Sequence, residues 1–233
     1  MKKVSIVVIC VFTMCVFSVT VKADININFD SVADGTTLTT PYNFGVVETF
    51  DNVLSIPEPV NSATGFDQLW DWSGNGQVVQ GSLSGAYAAP GLTDITNYMA
   101  VPQYNSGTLS VSVELGITSN YLGLYWGSID QYNYVQFFLG DMPISGKSVW
   151  TGLDVSLLAN GDQSAVGTNK YVNFLNVPDF DKVVFTSMSG HGGSSPFAFE
   201  FDNVAVNVVP IPATILLGLI GLGVGGWKLR KSM

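Results

Sequence analysis

Cysteine is nearly absent from this 233-residue chain: Cys10 and Cys15 are the only two, and both lie in the apolar run at its start. Once that run is removed, no disulfide, thiolate metal site or cysteine nucleophile can form. Histidine is scarcer still, with His191 alone. Multi-histidine metal centres are therefore excluded, and a serine triad would have to use His191 in the loop Ser189-Gly-His-Gly-Gly-Ser-Ser195. No Gly-x-Ser-x-Gly elbow, Walker motif or dinucleotide fingerprint occurs. Positive charge is missing from the middle of the chain. Residues 24–208 hold all 18 acidic residues against Lys147, Lys170 and Lys182 and no arginine, which leaves that stretch at −15 against −9 for the whole. Such a surface repels phosphate backbones, so nucleic acid is not an expected partner. No internal repeat appears, which argues against a propeller or solenoid. No apolar stripe of helical period exceeds a turn or two before the C-terminal tail.

The two ends are different in kind. Met1-Lys2-Lys3, an apolar run from Val4 to Val21 and Val21-Lys22-Ala23 have the order of a secretory signal peptide, with the cut expected between Ala23 and Asp24. The competing reading is an uncleaved anchor helix. Neither cysteine has the Leu-small-small context of lipoprotein processing. At the other end, Val209 to Trp227 is an uncharged stretch just long enough to cross a bilayer. It is followed by Lys228, Arg230 and Lys231, which would stay on the cytoplasmic side as a membrane stop. The expected organisation is a signal peptide at 1–23, an exported domain at 24–208 and a tail at 209–233.

The exported domain reads as β throughout. Ile25-Asn-Ile-Asn-Phe29, Leu109-Ser-Val-Ser-Val-Glu-Leu115 and Phe197-Ala-Phe-Glu-Phe201 alternate apolar with small or polar residues, which puts one face in a core and one in water. Nine further segments rich in Val, Tyr, Phe, Trp and Thr lie between turn signals such as Ser73-Gly-Asn-Gly76 and Asn160-Gly-Asp162. About a dozen short strands in one domain predict an all-β fold of two packed antiparallel sheets, a jelly roll by first choice.

The tail resembles the PEP-CTERM sorting signal of exosortase-processed proteins. It has the Pro-x-Pro motif in Val209-Pro210-Ile211-Pro212-Ala213, an apolar helix over 213–227 broken by glycines, and a basic end at 228–231. Ile211 stands where that signal usually has Glu, which matches the Val-Pro-Leu-Pro-Ala type of variant. The segments Phe29-Asp-Ser-Val-Ala-Asp-Gly35, Tyr121-Leu-Gly-Leu-Tyr-Trp126 and Phe199-Glu-Phe-Asp-Asn-Val204 are similar to exosortase-dependent surface proteins with jelly-roll domains of carbohydrate-binding-module or lectin type. The resemblance implies tail processing by an exosortase after signal-peptidase cleavage. It also implies a cell-surface or matrix location, and association with exopolysaccharide and biofilm.

Within the domain no catalytic residue is expected. Trp70 and Trp72 share one side of a strand and, with Trp126 and Trp150, are candidates for stacking on sugar rings, against the reading that they fill the core. First and last strands of a jelly roll usually pair. That would bring Asp30 and Asp34 near Glu200 and Asp202, a candidate structural Ca²⁺ site, against the reading that these acids line a solvated face. The rival to a structural or glycan-binding role is a secreted carbohydrate-active hydrolase with an Asp/Glu pair, which residue spacing does not single out.

Overall fold

The computed structural model describes residues 26–30, 45–50, 70–92, 94–102, 108–188 and 198–207. The expected signal peptide and its Ala23–Asp24 junction, Asp34, His191 and the whole sorting tail lie outside these residues. Among the described residues no helix is long and apolar enough to cross a membrane.

Thirteen strands carry the described chain, and they fall close to the segments picked out by apolar alternation. They are β1 (Asn26–Asp30), β2 (Gly45–Glu48), β3 (Asp71–Gly74), β4 (Gln77–Gln80), β5 (Asn97–Pro102), β6 (Leu109–Ser119) and β7 (Leu122–Gly127). After them come β8 (Asn133–Leu139), β9 (Met142–Pro143), β10 (Val149–Thr151), β11 (Lys170–Leu175), β12 (Phe180–Ser187) and β13 (Ala198–Asn207). Strand β10 ends at Thr151. There a single helical turn, α1 (Gly152–Val155), begins under a capping box in which Asp154 accepts from the Thr151 backbone N–H and hydroxyl at 2.9 Å each.

The strands form two antiparallel sheets, so the fold is an all-β sandwich. One sheet has seven strands in the order β1-β11-β7-β13-β5-β4, with β2 also on β13; the other has six, β10-β8-β12-β6-β3, with β9 on β8. Their facing surfaces share one aromatic core. The Phe185 and Phe201 rings stack at 4.2 Å and Trp126 on Phe199 at 4.6 Å, while Phe50 meets Trp72 edge-on at 5.4 Å. Each such ring buried from water contributes about 1.5–3 kcal/mol.

Strand β13 organises the seven-stranded sheet. Phe199 and Phe201 point into the core, yet so do Val204 and Val206, which are of the opposite parity. A register shift against β7 between Asp202 and Ala205, with Asn203 at φ 51°, inserts the extra residue that flips the alternation. On the other side of β13 the partner changes at the same place: β5 pairs with Ala198–Phe201 and β2 with Val204–Asn207.

The first strand does not pair with the last. Strand β1 lies on β11, with β7 between β11 and β13, and the row Asp30, Tyr171, Tyr125, Asp202 runs straight across all four. Three ladder steps at about 4.8 Å put Asp30 and Asp202 roughly 14 Å apart in the sheet. The expected cluster of Asp30 with Glu200 and Asp202 is therefore not formed.

Candidate functional site

The tryptophans offered as sugar platforms are core residues. Trp70, Trp72 and Trp126 are 6%, 4% and 0% exposed and belong to the inter-sheet cluster, so none presents a ring face to a ligand. An indole on the inward face of a sandwich strand gains more from burial than from half-exposure. Trp150 is half-buried against the same core and carries the Lys147 ammonium over its ring at 4.1 Å.

Glu200 and Asp202 do share one face of β13, but that face is not wet. They are 3% and 1% exposed. What covers it near Glu200 is the segment after β4. From Ser82 the chain makes a tight turn in which Leu83 and Tyr87 bridge each other. It then runs over the sheet through Ala88, Ala89 and a 3-10 turn at Pro90–Leu92. Tyr87, Ala89 and Tyr98 form a small second apolar cluster there with Val79 and Ala100. The Ala88 N–H donates to Glu200 Oε1 at 3.0 Å.

A pocket of about 420 Å³ opens beside this cover; its lining includes Tyr87, Ser128, Asp130, Tyr132, Gln163 and Glu200. Asp130 reaches it from the turn between β7 and β8 and is only 2% exposed. Its Oδ1 accepts from the N–H groups of Tyr132 (3.1 Å) and Asn133 (2.9 Å), and Oδ2 accepts from the Asn133 side-chain amide at 2.8 Å. That amide also donates to the Ala198 carbonyl at 2.9 Å, tying the turn to the start of β13.

Asn169 locks the surroundings. Its Oδ1 accepts from the N–H groups of Gly91 (3.0 Å) and Ser128 (2.9 Å), while its amide donates to the carbonyls of Asp162, Gln163 and Ala165 at 3.2, 3.1 and 2.9 Å. One buried side chain thus joins the covering segment, the Asp130 turn and the loop that supplies Gln163. Two glycines admit the close packing. A Cβ on Gly127 would sit 3.0 Å from Pro90, and one on Gly152 would sit 1.7 Å from the Asp130 carbonyl oxygen.

The electrostatics of the pocket are unusual for an acidic protein surface. Burial raises the Asp130 carboxyl from 3.8 to about 7, against the hydrogen bonds from Asn133 and Tyr132 that favour its charged form. Burial also pushes Glu200 well above its ordinary range, with the Asp130 charge adding to the effect. The Tyr132 phenol is raised by burial and then by the two carboxylates. Among the described residues no lysine, arginine or histidine lines the pocket. Among the described residues, Glu200 Oε2 and Ser128 Oγ are buried there with no hydrogen-bond partner, and so is Asn133 Oδ1 behind Asp130.

Of the acids proposed for calcium, Glu200 lines this site, and Asp34 lies outside the described residues. Asp130, Tyr132 and Asn169 were not singled out from the sequence. The available signal was a Glu placed inside Phe197-Ala-Phe-Glu-Phe201, a strand too apolar to have a solvated side. Among the described residues no group of three or more Asp, Glu, His or Cys side chains is arranged to hold a metal ion. No protein-family model matches the chain, and no curated protein matches it.

Proposed function

We propose that this is an exported bacterial surface or matrix protein whose sandwich binds a saccharide in the Asp130–Glu200 pocket. In this reading a signal peptidase cuts after Ala23, and the chain crosses the membrane. An exosortase then recognises Val209–Ala213 in the tail, with Lys228, Arg230 and Lys231 holding it at the cytoplasmic side. The sandwich is taken to be a jelly roll of the carbohydrate-binding kind, and exopolysaccharide is its partner.

The observation that supports saccharide binding is the pocket itself. It has room for a sugar ring, two tyrosines in its wall, and carboxyl, hydroxyl and amide groups converging on it. Affinity electrophoresis of the full-length protein through gels containing neutral, acidic and amino-sugar polysaccharides tests it. Retardation by at least one of them, lost in Tyr132→Ala, is the expected result; unchanged mobility in every gel overturns the reading.

A second reading has its own observation. Two carboxyl groups with raised pKa share one cavity, which is the pairing a glycosidase needs for a general acid and its partner. Release of reducing ends from those same polysaccharides, abolished in Glu200→Gln, would make the protein a hydrolase; binding without turnover keeps it a binding module.

A further inference from the structure

We infer that the saccharide bound in this pocket carries a free amino group, and that its ammonium seats between Asp130 and Glu200. The inference rests on the saccharide reading above and names the chemical class of sugar.

The first argument is the inventory of unused hydrogen-bonding atoms. Glu200 is 3% exposed and lines the pocket, and one of its oxygens is held by the Ala88 N–H at 3.0 Å. The other, Oε2, is buried with no partner among the described residues, and so is the Oγ of Ser128, a residue 6% exposed. A carboxylate oxygen is an acceptor, and a serine hydroxyl has acceptor lone pairs to spare. With Glu200 ionised beside a cation, the group that completes them is a donor. Primary ammonium offers three N–H donors and no acceptor.

The second argument is charge. Asp130 disfavours the ionised form of Glu200, and among the described residues no cationic side chain lines the cavity to relieve it. A buried carboxyl pair of this kind is neutralised either by protons or by a cation from outside. An ammonium restores both carboxylates and replaces the missing charge. A uronic acid would bring a third carboxylate to the same place, and an N-acetylated amine brings no charge.

The third argument is size. Calcium calls for six to eight oxygens at about 2.3–2.6 Å. Asp130 already accepts three hydrogen bonds, which leaves its carboxylate room for one further N–H donor but not for bidentate coordination of a metal. A cavity of about 420 Å³ is far larger than a bare ion fills. An organic cation on a ring uses both the acidic end and the tyrosine-bearing wall.

Isothermal titration of the full-length protein in detergent, with four probes, decides the matter: a glucosamine oligomer, the matching N-acetylglucosamine oligomer, a glucose oligomer and calcium chloride. Tighter binding of the glucosamine oligomer, by tenfold or more over both neutral oligomers, is expected. Glu200→Gln should remove most of that preference. Should that variant not fold, the wild-type ranking of the four probes decides alone. Equal or tighter binding of a neutral oligomer overturns the amine inference while leaving saccharide binding intact. Calcium that binds and competes with the glucosamine oligomer overturns it in favour of a metal. Binding of no oligomer at all defeats both readings.

Discussion

Raising the pH should destabilise this protein across a range where acidic surfaces usually change little. The lever is Asp130. In the folded chain burial holds its pKa at about 7, whereas the unfolded chain returns it to the ordinary 3.8. Between those values the native state keeps a proton that the unfolded state has released. Stability is therefore fully present below about pH 4, is lost as the pH rises, and levels off above about 7. A displacement from 3.8 to about 7 corresponds to roughly 4 kcal/mol over the whole window. Glu200 acts in the same direction. Asp154, lowered by Lys147 and Thr151 against a partial burial that opposes them, works oppositely, but its contribution is lost only as the pH falls through the carboxylate range. The two regimes therefore separate. Urea unfolding followed by tryptophan fluorescence suits the assay, because Trp72 and Trp126 are buried. Asp130→Asn removes this titration, so the gap in stability between wild type and variant should shift by roughly 4 kcal/mol from about pH 4 to about pH 7.5. Parallel pH profiles for the two proteins would refute the burial argument.

Three other expectations can be checked by the same unfolding assay. Phe185→Ala empties a site stacked at 4.2 Å on Phe201 and should cost about 3–5 kcal/mol. Gly152→Ala drives a methyl to within 1.7 Å of the Asp130 carbonyl oxygen; a loss of about 1–3 kcal/mol together with weaker saccharide binding is expected. Asn169→Ala leaves the N–H groups of Gly91 and Ser128 without their acceptor, which should cost about 1–3 kcal/mol for each that stays buried. Unlike Phe185→Ala, it should also loosen the pocket and lower affinity.

The sandwich was legible because its strands alternate. Leu109 to Leu115 places Val111, Val113 and Leu115 on one face, and all three are buried in the core. The bulge in β13 is also written in the chain, as the change of apolar parity between Phe199-Glu-Phe201 and Val204-Ala-Val206. What could not be read was which outer face would be covered. Glu200 looks solvated by alternation and is buried because a segment more than a hundred residues earlier folds over it. Pairing order was equally hidden: β1 chooses β11 over β13, and that choice separates Asp30 from Glu200 and Asp202. The hydrogen bonds to Asp130 are local, but Asn133 beside it and Asn169 bond to segments distant in sequence. No local pattern encodes those contacts.

Hydrogen–deuterium exchange of the full-length protein tests the central claim most directly, in the presence and absence of oligosaccharides released from the producing cells' own exopolysaccharide. The account predicts slower exchange, on adding the sugar, in peptides that carry the Ala88, Ser128 and Tyr132 amides around the pocket. Protection confined to any other surface, or none at saturating sugar, would contradict it.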